Sequence, residues 1–277
     1  YKGVAMTLTK KFAFSTLFFL ILTSAAVGSD YIIIQSTTST QNSGLLSAIL
    51  PKFEAISGIK ARVVAVGTGQ ALRNAKNGDG DVLLVHARAA EEAFVSDGWG
   101  VQRFDVMYND FVVVGPAEDP AEILDMQNAT KALSLIALKE ALFVSRGDDS
   151  GTHKAEKRLW SKTLVDTVSA SGTWYRETGS GMGATLNMAA SMEAYTLTDR
   201  ASWLSFANKR NLVVLVQGDI RLFNQYGVIA VNADKHPNID ADGAKAYINW
   251  LIGPEGQLAI SNFRPNNTQL FFPNAKR

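Results

Sequence analysis

Cysteine is absent from all 277 residues. That excludes a disulfide framework, a thiolate metal site, a cysteine nucleophile and a lipid-modified N-terminal cysteine. Histidine is scarce, and His86, His153 and His236 show no metal-ligand spacing. No G-x-S-x-G elbow supports a serine hydrolase, and no glycine cluster continues into Gly-Lys-Ser/Thr, which removes a P-loop. No internal repeat, low-complexity tract or Pro-rich linker interrupts the chain. Trp and Phe scatter at core-like spacing and build no stacking platform for bases.

An excess of one charge is also missing once the N-terminus is set aside. Lys10-Lys11 precede the apolar stretch Phe12 to Leu22, and small residues follow at Ser24, Ala25, Ala26 and Gly28. This is the order of a secretory signal peptide, and the apolar run is short of the roughly 20 residues of a membrane span. The expected signal covers 1–28 and is cleaved between Ala25 and Ser29; Met6 is the expected start, with 1–5 an upstream extension. Removing 1–28 takes Lys2, Lys10 and Lys11 and no acid, leaving 24 basic against 26 acidic residues, a net of −2. That balance argues against nucleic acid or an anionic membrane surface as partner. It does not argue against a small anion, which local dipoles can hold.

What is present is alternation. Tyr31 to Gln35 is a β-branched apolar run, and Leu45, Leu46, Ile49, Leu50, Phe53 and Ile56 then recur at helical spacing up to Gly58. Arg62–Val66 and Val82–Val85 read as further strands, separated by helices. A βαβαβα beginning predicts a parallel sheet covered by helices on both faces. Later helices are expected over 130–138, 153–164, 185–193, 202–207 and 241–252, and strands over 143–144, 174–177 and 194–197. The pattern restarts after Pro116, and the extended runs 106–114 and 212–231 fit two hinge strands between two lobes.

Four Ser/Thr/Gly clusters fall where a strand passes into a helix: 36–40, 67–69, 145–152 and 179–183. Each would present backbone N–H groups and hydroxyls at a helix N-terminus, the equipment for holding an anion. In Ser36-Thr37-Thr38-Ser39-Thr40, five hydroxyls exceed the single one that capping needs. Gly67-Thr68-Gly69 starts like a dinucleotide fingerprint but has Leu72 where the third glycine belongs. In 145–152, Arg146 is the only cation of the four clusters; Asp148 and Asp149 could cap the helix or orient Arg146. Gly179, Gly181 and Gly183 suit an irregular turn. Each cluster alone is also compatible with a plain turn. Together they predict one cleft around a small oxyanion.

With these motifs in place, the chain resembles the tungstate-binding components of Tup-type ABC importers. The matching segments run through most of residues 31–273: STTSTQNSGLL (36–46), AVGTGQAL (65–72), DVLLVHA (81–87), MYNDFVVVGP (107–116), FVSRGDDSGTH (143–153), ETGSGMGATLNMA (177–189), AYTLTDR (194–200), YGVIAVN (226–232) and QLFFPNA (269–275). The family usually has Thr where Ser36 stands, which keeps a hydroxyl. The resemblance implies an α/β, two-lobed type II periplasmic binding protein fold, each lobe a mainly parallel sheet flanked by helices and joined by two hinge strands. Lobe 1 would comprise 29–110 and 226–277, and lobe 2 would comprise 111–225. It implies a periplasmic, monomeric, non-enzymatic receptor with no cofactor and no resident metal, delivering tungstate or molybdate to a permease in the inner membrane. Carried over residue by residue, the implied ligand contacts are Thr38, Ser39, Thr68, Arg146, Ser150, Gly151, Thr152, Gly181, Met182 and Gly183.

Two alternatives stay open. A receptor of the same fold could take molybdate, phosphate or sulfate. Phosphate carries a proton at neutral pH and gains from a carboxylate acceptor, and whether Asp148, Asp149 or Asp199 faces the ligand is not legible in sequence. An enzyme acting on phosphorylated substrates would need a general base near Arg146, for which His153 is the candidate.

Overall fold

The computed structural model describes residues 1–3 and 31–276. The expected signal segment and its cleavage point therefore lie outside the described residues, apart from 1–3. Among the described residues no helix is long and apolar enough to cross a membrane.

The chain opens with β1 (Tyr31–Thr37), α1 (Thr38–Asn42), α2 (Leu45–Ser57), β2 (Lys60–Val66), α3 (Thr68–Lys76), β3 (Val82–Val85), α4 (Arg88–Ser96) and the long β4 (Gly100–Pro116). It continues with α5 (Ala129–Leu138), β5 (Phe143–Ser145), α6 (Gly151–Trp160), α7 (Thr167–Ala170), β6 (Tyr175–Glu177), α8 (Met182–Met192), β7 (Thr196–Asp199), α9 (Arg200–Ser205) and β8 (Leu212–Val216). It closes with β9 (Phe223–Val231), α10 (Ala241–Leu251), α11 (Pro254–Ser261) and β10 (Phe272–Pro273).

Two lobes result. One carries the strand order β2-β1-β3-β9-β4-β10, with β1, β2 and β3 parallel and β9 antiparallel between β3 and β4. The other is built on the far half of β4, with β7 and β8 antiparallel to it and β5 parallel to β6. Bonds from Val144 N to Tyr195 O and from Tyr195 N to Leu142 O set β5 beside the approach to β7. The order is thus β6-β5-β7-β4-β8. In each lobe the antiparallel insert is a strand arriving from the other lobe: β9 in the first, β4 in the second. β4 changes partners near Asp110–Phe111, where Asp110 pairs Phe223 of β9 and Phe111 pairs Asp199 of β7. Arg200, opening α9, grips Asp110 with two bonds of 2.7 and 2.6 Å at that crossing.

β3 and residues 111–114 of β4 are apolar without interruption because both faces are covered there. Val82 and Leu84 enter a core with Ile32, Ile34, Phe53, Tyr247 and Leu251, whereas Leu83 and Val85 pack with Ala71, Phe94 and Ile229. Phe111 and Val113 likewise join Phe143, Trp160 and Tyr195, while Val112 and Val114 join Val144, Leu186 and Trp203. This is the period-two alternation of a strand, read from two sides. Some expectations shift. Ile56 stays exposed although its neighbours at helical spacing are buried, because it falls in the last turn of α2. The helix expected over 153–164 is α6, starting at Gly151 and ending at Trp160, and the strand expected over 194–197 is β7, two residues later.

Parallel pairing runs in register from Tyr31 with Lys60 to Thr37 with Val66, and Ile34 pairs Val82. The carboxyl ends of β1, β2 and β3 therefore share one edge. That edge, where strands hand over to helices, is where open α/β sheets present ligands.

Candidate functional site

All four clusters lie at a strand-to-helix passage: β1 to α1, β2 to α3, β5 to α6 and β6 to α8. In the first lobe, Thr37 caps α1, its Oγ1 accepting from Thr40 N at 3.2 Å. Thr37 Oγ1 also lies 2.7 Å from Thr40 Oγ1 and 3.1 Å from Ser39 Oγ. Ser39 and Thr40 are buried, and Thr38 is half-buried. Ser36 has a structural task, donating to Leu84 O at 2.9 Å. α3 is capped by Gly67, which has no side chain to offer, so Thr68 stands one position past the cap with no capping duty. Its first intrahelical bond is Ala71 N to Gly67 O, which leaves the amides of Thr68, Gly69 and Gln70 without helical acceptors.

In the second lobe, Ser150 caps α6, its Oγ accepting from His153 N at 3.2 Å. The first bond of that helix is Lys154 N to Ser150 O, so the amides of Gly151 and Thr152 are likewise outside the helical ladder. Arg146 is 3% exposed. Its Nη2 donates to Asp148 at 2.5 Å, and Asp148 also accepts from Ser150 N at 3.2 Å. Asp148 therefore both orients Arg146 and steadies the turn into α6. Asp149 pairs Lys154 and donates its amide to His153 Nδ1 at 3.0 Å. α8 starts beside the same loop, through Thr178 Oγ1 to Arg146 O and Ser180 N to Arg146 O.

The two lobes meet over these termini. A Cβ on Gly151 would lie 2.6 Å from His86 Cε1 and 3.1 Å from Thr68 Oγ1. A Cβ on Gly69 would strike the Asp149 carboxylate, and one on Gly67 would touch Asp148 O at 3.7 Å. The N-termini of α3 and α6 thus face each other at backbone range. Between them, Thr68 Oγ1, Thr152 Oγ1 and Arg146 Nε are buried with no hydrogen-bond partner among the described residues. Buried polar groups are nearly always paired, so two orphan hydroxyls on facing termini and an orphan guanidinium nitrogen in the loop before α6 mark a place built to meet an acceptor. Among the described residues no group of His, Asp and Glu gathers to hold a metal ion.

Of the expected contacts, Ser39, Thr68, Arg146, Ser150, Gly151 and Thr152 are brought to this buried junction. Gly181 and Gly183 remain exposed at the start of α8, and the Met182 side chain enters the second lobe's core with Leu186 and Trp203. Sequence reasoning gave no role to His86. It is buried, with Nε2 3.3 Å from both Thr37 Oγ1 and Ser39 Oγ, and its ring lies 4.7 Å from that of Tyr226. Its Nδ1 lies 3.1 Å from Asn224 Oδ1, and Asn224 Nδ2 donates to Asn109 Oδ1 at 2.6 Å. Asn109 and Asn224 are register partners where β4 and β9 approach the crossing. Burial pushes His86 down to about 4, partly offset by Asp199, so it is held neutral. The signal for it was position: His86 follows Val85 at the sheet edge shared by Thr37 and Val66. Asp199, 1% exposed, accepts from the amide of Ser202 at Oδ1 and leaves Oδ2 unpartnered among the described residues.

Residues 23–255 match the PBP superfamily domain. The tungstate-binding protein TupA of Peptoclostridium acidaminophilum is 48% identical over 250 residues, covering 89% of this chain and 86% of that protein. Among solved structures, tungstate-binding protein TupA from Desulfovibrio alaskensis G20 is 45% identical with a TM-score of 0.78, over 90% of this chain and 100% of that one. The tungstate ABC transporter structure from Geobacter sulfurreducens is 50% identical with a TM-score of 0.76, over 84% of this chain and 98% of that one.

Proposed function

We propose that this chain, which belongs to the PBP superfamily and within it to the TupA family of tungstate-binding proteins, captures tungstate between its lobes for an ABC importer. One observation carries the reading: Thr68, Arg146 and Thr152 hold buried donor atoms without partners among the described residues, where two helix N-termini from different lobes face each other. A tetrahedral dianion accepts from every direction and donates nothing, so it suits a shell of hydroxyls, amides and one guanidinium. Ser39, Ser150, Gly151 and the α8 start at Gly181, Met182 and Gly183 would complete that shell, α8 through its backbone amides. Thr38 would contribute from the rim.

The lobe division we adopt is 29–110 with 226–277 against 111–225, supported by the partner change of β4 near Asp110. Delivery to an inner-membrane permease, a periplasmic location and a monomeric state complete the proposal, the first supported by the transporter relatives. An enzyme on phosphorylated substrates is disfavoured because His153 Nδ1, the candidate base, is spent on the amide of Asp149.

Calorimetric titration with tungstate, molybdate, sulfate and phosphate tests the reading. Tungstate binding tighter than micromolar, with sulfate and phosphate far weaker, is the expected result. Tungstate binding no tighter than micromolar would sink it.

A further inference from the structure

The charges around the junction do not balance for a dianion. Arg146 is already paired with half-buried Asp148 at 2.5 Å, and buried Asp199 is a second carboxylate, with one oxygen unpartnered among the described residues. Arg146, the one buried Arg or Lys among the described residues, is therefore met by two carboxylates before any ligand arrives. Adding a dianion without compensation would collect like charge in a dry site, which is strongly unfavourable.

His86 is placed to correct this. Asn224 Oδ1 can only accept, so Nδ1 carries the hydrogen in the neutral ring. Nε2 is then a lone pair facing the hydroxyls of Thr37 and Ser39, both at 3.3 Å. When those hydroxyls turn their hydrogens toward an oxyanion, Nε2 loses its donor. A proton on Nε2 reverses that bond: the imidazolium donates to a hydroxyl oxygen, and the hydroxyl donates to the anion. The groups facing the ring define the balance. Asp199 favours the proton and Arg146 opposes it. Tyr226 is held neutral by burial. Arg88, Arg158 and Arg221 share with His86 the lining of a cavity of about 270 Å³. Arg88 pairs Glu92, Arg221 pairs Asp219, and Arg158 has no carboxylate partner among the described residues. Arg146 is thus the cation that opposes the proton until an anion arrives, and the cavity gives solvent protons a route to the ring.

We propose that oxyanion capture is coupled to proton uptake, with His86 taking one proton from the buffer as the anion enters between the lobes. The inference rests on the oxyanion reading of the site. A single opposite charge within ~4–6 Å raises a titrating group by about 1–3 units, and a dianion supplies two charges. His86, about 4 without ligand, is thereby raised toward the working pH, where it takes up the proton. A group raised by binding contributes affinity below its bound-state value and loses it above, so affinity falls as pH rises through that value.

The test is calorimetry with sodium tungstate at one pH near 7, in buffers of different ionisation enthalpy, on wild type, His86→Asn and Asp199→Asn. Wild type is expected to take up about 0.5–1 proton per tungstate, and His86→Asn close to none. Uptake below about 0.3 in wild type, or uptake that persists in His86→Asn, overturns the proposal. Loss of uptake only in Asp199→Asn overturns it too, assigning the proton to the carboxylate. Should His86→Asn not fold, ¹⁵N-histidine NMR of wild type decides: tungstate must convert the His86 Nε2 signal from a free lone pair to an imidazolium. A failure to bind tungstate at all would instead count against the receptor reading.

Discussion

Arg146 is the residue whose removal measures the site most directly. It is 3% exposed, Nη2 is committed to Asp148, and Nε is buried without a partner among the described residues. A hydrogen bond to a charged group contributes about 1.5–3 kcal/mol, and Nε with one further guanidinium nitrogen can make two toward an anion. Arg146→Ala loses both and leaves Asp148 facing the dianion uncompensated. The expected loss is at least about 4 kcal/mol, or roughly a thousandfold in Kd. Arg146→Lys keeps the charge but not the planar fork, so about 10–100-fold is expected. The double variant Arg146→Ala/Asp148→Ala removes equal and opposite charges and should bind better than Arg146→Ala alone. That ordering separates net charge from mere loss of packing. Competition calorimetry with tungstate gives the constants, and thermal unfolding without ligand verifies the fold. Affinity of Arg146→Ala within tenfold of wild type would refute the reasoning.

Three further outcomes follow from the same geometry. Thr68→Val and Thr152→Val each delete a buried orphan hydroxyl at nearly constant shape; affinity should fall about 10–100-fold while unliganded Tm holds or rises. A Tm loss with unchanged affinity would make those hydroxyls structural. Gly151→Ala introduces a Cβ 2.6 Å from His86 Cε1, across the lobe junction; closure should be blocked, seen as a larger radius by small-angle scattering with tungstate and at least about a hundredfold faster release, with Tm unaffected because each lobe keeps its own core. Glu156 is fully buried among Ser145, Trp160 and Tyr175, and burial pushes it up to about 7. The folded state then holds this proton where the unfolded chain has lost it, so stability falls as pH rises from about 4.5 to 7, by about 3 kcal/mol, and levels off above; denaturant titrations should show Glu156→Gln flattening that slope, and an unchanged slope would reject the assignment.

Much of the fold was legible because strand burial leaves a one-dimensional trace. Val82–Val85 is wholly apolar since its two faces feed two cores, and α2 announces itself by Leu45, Leu46, Ile49, Leu50 and Phe53. The hinge was legible as length: β4 is too long for one sheet and serves two. What was hidden is antiparallel insertion, because β9 and β4 look like any other buried strand until their partners are known. His86 was hidden for a similar reason. A histidine closing an apolar run reads as a core residue, and only Asn224, 138 positions away, shows which nitrogen carries its proton.

The clusters themselves were readable as anion equipment, but not which hydroxyl does what. Any Ser or Thr near a helix start can cap it. In this molecule the capping positions are Thr37 and Ser150, and Gly67 and Gly181 where a side-chain cap is absent. Thr68 and Thr152 fall one and two residues later, too late to cap and too buried to meet water. The glycines divide in the same manner. Gly147 and Gly179 sit at φ of 60° and 61°, a turn conformation that favours glycine; Gly151 is glycine because another lobe's histidine and threonine lie against it. A turn requirement and a close approach produce the same letter in the sequence. They part only when the two lobes are placed together, and it is the close approach that makes the site one site.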